Sequence, residues 1–177
     1  ACPHTKDALP EARRVHALMA ASNLHSVSVL SDHLIRLFGQ CQSLQDAQDA
    51  FSRVSKPTVF TWNAIISAHT SHSKYRNALL LYAHMQKQDV NPNKVSFLLV
   101  LKACGNLGDL GKGNEIHAEV EQKELLLKSH IINTALVEMY GKCGLHMQSE
   151  ELFDQLQNRD VVSWNSLLTV YLDYDCG

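Results

Sequence analysis

The 177-residue chain has only 8 glycines and 4 prolines, too few for a collagen-like or low-complexity sequence. No apolar run approaches the roughly 18 residues that mark a membrane-spanning helix. Its longest apolar stretches, Phe97 to Leu101 and Leu79 to Tyr82, read as core pieces of ordinary helices. Positive charge is not in excess. Sixteen Lys and Arg stand against 18 Asp and Glu, a net charge of −2, which excludes a general polybasic nucleic-acid binder but not a locally basic face. Paired cysteines are lacking too. Cys2, Cys41, Cys104, Cys143 and Cys176 are odd in number and form no C-x-x-C, which points to a reducing compartment rather than a disulfide scaffold. Residues 1–20 carry charges and no central apolar block of the secretory-signal kind. What is present is 45% hydrophobic and 19% charged residues, a balance that supports a packed core.

The strongest signal is an internal repeat. Val59-Phe60-Thr61-Trp62-Asn63-Ala64-Ile65-Ile66 matches Val161-Val162-Ser163-Trp164-Asn165-Ser166-Leu167-Leu168 at an offset of 102 residues. The same offset joins Cys41 to Cys143, Phe38 to Tyr140 and Phe51 to Phe153. Val15-His16-Ala17 and Ile116-His117-Ala118 match one residue short of it.

A unit this long divides at turn signals, among them Lys56-Pro57, Asn91-Pro92-Asn93, Gly105 to Gly108 and Gly141 to Gly144. Between them, apolar residues recur at helical spacing, as in Leu34, Leu37, Phe38 and Ala78, Leu81, Tyr82, Met85. Pro57 and Pro92 stand at boundaries, where helices stop. No alternating strand pattern extends beyond four residues. The expectation is an all-α chain of about ten helices in antiparallel hairpins, each needing a stacked neighbour to cover its apolar face.

These motifs resemble the pentatricopeptide repeat (PPR) proteins, in the plant-type PLS arrangement of long, short and ordinary repeats. Residues 59–93 resemble an ordinary repeat, 94–129 a long one and 130–160 a short one. An earlier short repeat covers 28–58, a partial long repeat 1–27, and a partial ordinary repeat 161–177. The carrying motifs include Gly113-Asn114-Glu115-Ile116-His117-Ala118 and Ala135-Leu136-Val137-Glu138-Met139-Tyr140-Gly141-Lys142-Cys143-Gly144. The resemblance implies a single array over 1–177, folded as a right-handed α-solenoid. It implies binding of single-stranded RNA at about one base per repeat, in a mitochondrion or plastid, as a specificity factor for RNA editing or processing. A separate extension or an editing or ribonucleoprotein partner would do the chemistry. No cofactor and no membrane is implied.

In that family the fifth and last residues of a repeat face the base edge, and the second packs on the base plane. Carried over, the ordinary repeat offers Asn63 and Asn93 with Phe60. The second short repeat offers Thr134 and Asp160 with Ile131, and the last partial repeat Asn165 with Val162. Asp32 with Thr58, and Leu98 with Ser129, match no readable pair. The family's pairing rules then imply pyrimidine, any base, guanine, pyrimidine. An amide suits the mixed edge of a pyrimidine, and Thr beside Asp suits a base that displays donors.

Other readings compete. Asn63 and Asn165 sit near helix starts, where Asn commonly caps. Trp62 and Trp164 precede them, and at about 100° per residue they cannot share the same face, so they are expected to pack between helices. Charge on the first helix of each repeat cancels (Asp32, Arg36, Lys94, Lys102, Glu138, Lys142, Asp173, Asp175), so phosphate contacts are sparse. That favours the alternative of a structural helical-repeat subunit of a large organellar assembly such as a ribosome, gripping protein or rRNA by shape. Helix 161–174 carries Val162, Trp164, Leu167, Leu168 and Tyr171, and adjoining repeats or a partner chain are expected to cover it.

Catalytic signals do not hold. His117-Ala118-Glu119 matches H-x-E, but no Pro-Cys-x-x-Cys follows. Gly108, Gly111 and Gly113 lack the strand and the Gly-Lys-Ser/Thr of a phosphate loop. His69 and His72 lack a third metal ligand. No catalytic or metal-binding residue is expected.

Overall fold

The computed structural model describes residues 5–22, 24, 27–124, 129–156 and 158–175; Cys2, Cys176 and the side chains of Asp173 and Asp175 lie outside them. Among the described residues there are ten α-helices and no strand. They are α1 (Thr5–Ala21), α2 (Ser28–Gln40), α3 (Leu44–Ser52), α4 (Val59–Ser71), α5 (Tyr75–Lys87), α6 (Lys94–Leu107), α7 (Leu110–Gln122), α8 (His130–Lys142), α9 (His146–Asp154) and α10 (Val161–Asp175). The chain divides into two compact units, Ala1–Pro92 with α1 to α5 and Asn93–Gly177 with α6 to α10.

Local chemistry sets the helix ends. Thr58 starts α4 with a capping box: its Oγ1 accepts from the Thr61 N–H at 3.4 Å, and its own N–H donates to Thr61 Oγ1 at 3.1 Å. Asn93 and Ser96 make the same reciprocal pair at the start of α6, both bonds at 3.1 Å. Pro57 and Pro92 each stand directly before these caps, where they block helix from continuing backwards. Gly108 closes α6 at φ 66°, a left-handed position strained for any residue with a Cβ. Asp109 then accepts from the Lys112 N–H at 3.1 Å and opens α7. The Gly108–Gly113 stretch is thus a helix-hairpin turn.

In the first unit α2 packs on α1, α3 and α4, and α4 packs on α5. Trp62 is 1% exposed, with its ring edge-on to Phe51 at 4.8 Å and to His84 at 5.3 Å. In the second unit α8 packs on α6, α9 and α10, and Phe153 meets Trp164 at the same 4.8 Å. Trp164 is 48% exposed; among the described residues no helix lies on α10 as α5 lies on α4. Leu168 and Tyr171 are exposed beside it, whereas Leu167 is buried. The internal repeat recurs in the His rings as well. His16 on Phe38 and His117 on Tyr140 both pack at 5.7 Å and 69°.

One packing rule recurs between first helices of successive hairpins. The twelfth residue of α2, α6 and α8 is Gly39, Gly105 and Gly141. Each meets the tenth residue of the following first helix within its unit: Ala68 for Gly39, Met139 for Gly105 and Val170 for Gly141. A Cβ on Gly39 would stand 3.0 Å from Ala68 Cβ, one on Gly105 3.2 Å from Met139 Cα, and one on Gly141 would overlap Val170 Cγ2. The missing side chain lets the backbones approach.

Gly141→Ala is accordingly expected to cost about 1–3 kcal/mol by overpacking, despite the better helix propensity of Ala. Val170→Ala in the same chain relieves the overlap and restores part of the loss. Gly111→Ala, whose Cβ meets nothing closer than Asp109 Oδ1 at 3.8 Å, leaves stability unchanged or raises it. Urea titration of the three variants measures this.

Candidate nucleic-acid interface

The first helices are α2, α4, α6, α8 and α10. Their second residues are Val29, Phe60, Val95, Ile131 and Val162, all apolar and all between 49% and 63% exposed. Each is an apolar side chain held in water, repeated once per hairpin. Three residues on, and so on the same helix face, the fifth residues are recessed: Asp32 and Asn63 are 7% exposed and Thr134 6%. Leu98 is half-buried, and Asn165 is exposed. Sequence reading had singled out Phe60, Ile131 and Val162. The structure adds Val29 and Val95, exposed at the same helix position.

In the second unit these positions converge. Ile131, Thr134, Asp160 and Val162 line one groove of about 440 Å³, together with Leu98 and His130. Thr134 Oγ1 donates to the His130 carbonyl at 3.0 Å, so its lone pairs remain as acceptors. Asp160 caps α10. Its Oδ1 accepts from the Ser163 N–H at 2.8 Å, and its Oδ2 lies 3.5 Å from His130 Nε2. The Ser163 N–H is the main influence holding the Asp160 carboxyl below the usual range, with His130 adding a smaller pull. The groove therefore sets acceptor oxygens beside projecting apolar side chains. Its cations are Lys102 and Lys142, and Lys142 is paired with Glu138 at 2.7 Å.

The remaining candidates are not among the residues that line that groove. Asn63 is the fifth residue of α4 in the first unit and does not cap it, since Thr58 does. Asn165 does not cap α10, since Asp160 does. Capping falls instead to Asn93, whose Oδ1 accepts from both the N–H and the Oγ of Ser96. Asn63 belongs to the first unit and Asn93 opens the second.

The groups considered for catalysis serve packing. His117 Nδ1 lies 2.8 Å from Tyr140 Oη, which itself donates to Asn114 Oδ1 at 2.9 Å. With the phenol proton on Asn114, His117 Nδ1 must donate. Burial pushes the His117 imidazole below its ordinary pKa. His69 is buried, with Nε2 3.2 Å from Gln48 Nε2, and burial lowers its pKa too. Burial pushes the Cys104 thiol up to about 12, away from thiolate chemistry. Among the described residues no three His, Cys, Asp or Glu side chains cluster as metal ligands.

Asp160→Asn keeps a capping oxygen and removes the charge. Because the folded carboxyl titrates below its unfolded value, its charge stabilises the fold above about pH 4, and that contribution is lost as pH falls through the lowered value. The variant is expected to melt below the wild type at neutral pH, with the gap closing in acid. Melting curves across pH 2 to 7, read by circular dichroism, check this (the range spans roughly two units below and three above the carboxylate value).

Residues 57–106 match the PPR repeat family and residues 134–161 match the PPR repeat. A chloroplastic pentatricopeptide repeat-containing protein of Arabidopsis thaliana is 36% identical over 91% of this chain and 31% of its own length. A mitochondrial one from the same plant, itself named as putative, is 32% identical over 94% of this chain and 26% of its length. The chain thus spans less than a third of the curated relatives it matches. The crystal structure of the pentatricopeptide repeat protein PPR10 in complex with an 18-nt psaJ RNA element superposes with a TM-score of 0.78 at 23% identity, covering 97% of this chain and 26% of that one. PPR10 from maize gives a TM-score of 0.74 at 23% identity, over 99% of this chain and 25% of that one. The fold is therefore the all-α arrangement of stacked hairpins expected from the sequence repeat, and the chain carries pentatricopeptide repeats at residues 57–106 and 134–161.

Proposed function

We propose that this chain binds single-stranded RNA sequence-specifically in a mitochondrion or plastid, as a specificity segment for RNA editing or processing whose chemistry is done elsewhere. The observation that carries the reading is the groove of the second unit, where two projecting apolar side chains, Ile131 and Val162, share the lining with two acceptors, the recessed Thr134 and the exposed Asp160. Apolar side chains held in water suit the faces of unstacked bases, and the polar groups beside them suit their edges. Two acceptors side by side favour a base edge rich in N–H donors, which is guanine's. Asn63 and Asn165, at the same helix position with amide side chains, suit pyrimidines. PPR relatives named as chloroplastic and mitochondrial support the organellar setting. PPR10, bound to its RNA element, supports RNA as the ligand. The PLS arrangement, with its editing association, rests on the sequence motifs.

Few cations line the groove, so affinity should come more from stacking and edges than from phosphates. With about two phosphate contacts, the slope of log affinity against log salt is expected near −1.4. Fluorescence anisotropy on single-stranded RNAs that vary one base at a time tests the reading. Asn63→Thr is expected to change the preferred base at one position, an effect of about 1–3 kcal/mol. An unchanged preference, or no RNA binding at all, would leave the scaffold role, with sparse charge in its favour, as the better account.

A further inference from the structure

The face of α10 that carries Trp164, Leu168, Tyr171 and Leu172 has a counterpart 102 residues earlier, on α4. There the matching residues are Trp62, Ile66, His69 and Thr70, each no more than 4% exposed. On α10 the four are between 42% and 67% exposed. In the first unit α5 packs on α4, and the His84 ring meets Trp62 edge-on at 5.3 Å. Among the described residues no helix takes that place on α10. Single apolar residues on a surface are ordinary, but a stripe of them at helical spacing marks an interface.

A groove of about 580 Å³ adjoins the stripe at Tyr171, lined also by Leu145, Met147 and Glu150. Tyr171 Oη donates to the Glu150 carboxylate. The pair matches His69 and Gln48, which lie 3.2 Å apart, nitrogen to nitrogen, in the first unit.

Charge selects the partner. At four matched positions the second unit has a carboxylate where the first has an uncharged residue: Glu150 for Gln48, Asp154 for Ser52, Asp173 for Ser71 and Asp175 for Ser73. From His146 onward the one Lys or Arg is Arg159, and it is paired with Asp154 at 3.0 Å. The last turn of α10 has no basic residue, and its carbonyls add partial negative charge. A second copy docked through the same face would set these carboxylates against their own kind, and RNA phosphates would be repelled alike. A cationic occupant is favoured. The form it takes is shown by the helix that covers the matching face. α5 carries Arg76 and Lys87 with no acidic residue, and its Ala78, Tyr82 and Met85 are fully buried. Arg76 lies in the first turn of α5, just across residues 72–74 from the end of α4. At the corresponding end of α10 stand Asp173 and Asp175.

We infer that the Trp164, Leu168 and Tyr171 face of α10 docks a basic amphipathic helix of a partner protein. That helix runs back along α10 as α5 runs back along α4, with its apolar stripe on Trp164 and Leu168 and a cation beside the α10 C-terminus.

The probe is a synthetic 13-residue peptide with the α5 sequence, Tyr75–Lys87, titrated into the whole 177-residue protein. NMR follows the indole N–H signals of the two tryptophans. The Trp164 signal, identified by its loss in Trp164→Phe, is expected to shift saturably while that of Trp62 stays in place. The peptide carrying Arg76→Glu and Lys87→Glu is expected to bind about tenfold more weakly at low salt. Leu168→Glu in the protein, a change at an exposed side chain, is expected to abolish the shift, with far-UV circular dichroism verifying its helix content. An unmoved Trp164 signal, or equal binding of the two peptides, overturns the proposal. So does a shift at Trp62 instead, since the peptide would then be displacing α5 from α4. Sedimentation velocity on the protein alone is expected to show a monomer. A dimer that Leu168→Glu returns to monomer would make a second copy the occupant and the proposal wrong. No arm of the test involves RNA, so its failure and that of the RNA reading are separable.

Discussion

Close approach of successive first helices is the constraint on which the rest depends. At the twelfth residue of α2, α6 and α8 a glycine leaves room for the tenth residue of the next first helix in its unit. Core packing leaves little slack, so a single added methyl at such a point must push the backbones apart. With the helices held together, the fifth residue of one comes beside the residue preceding the next. In the second unit this brings Thr134 and Asp160 to one groove although they are distant in sequence. The caps fix the remaining freedom. Asp160 is both the cap of α10 and part of the groove's rim, so the hydrogen bond that starts the helix also aims the carboxylate.

The chemistry of that groove follows from which lone pairs are already used. Thr134 donates its only proton to the His130 carbonyl, and Asp160 commits one oxygen to the Ser163 N–H. What remains is acceptor capacity beside projecting apolar side chains. In the proposed function, such a site would discriminate among base edges by the donors they carry, because a mismatched acceptor would leave desolvated groups unpaired on both sides. The near absence of unpaired cations makes this discrimination a larger share of whatever binding energy there is. Lys142 is held by Glu138, which leaves Lys102 as the groove's lysine without an ion-pair partner among the described residues.

Much of this was legible in the sequence. The Val-Phe-Thr-Trp-Asn and Val-Val-Ser-Trp-Asn matches revealed the repeat, and the tryptophans were recognisable as packing residues because they cannot share a face with the asparagines beside them. Trp62 is buried under α5, whereas Trp164 has no such helix over it among the described residues. The roles of the asparagines were harder. Asn is a good cap and a good edge reader, and residue type alone does not separate the two; Asn93 caps α6, whereas Asn63 leaves capping to Thr58. The exposure of Val29 and Val95 was not legible, because a valine near a helix start ordinarily points to core. Asp32 was set aside because its residue type fitted no pairing rule. The burial of its Oδ1 without a hydrogen-bond partner is a property of three-dimensional packing that no spacing reveals.

The central claim is that RNA touches the projecting second residues of the first helices. Methyl-detected NMR of the protein with a short single-stranded RNA tests it most directly. The account predicts that the methyl signals of Val29, Val95, Ile131 and Val162 shift on titration, while Leu80 and Met147, as exposed but on α5 and α9, stay in place. Shifts at Leu80 and Met147 with the second-residue methyls unmoved would contradict it.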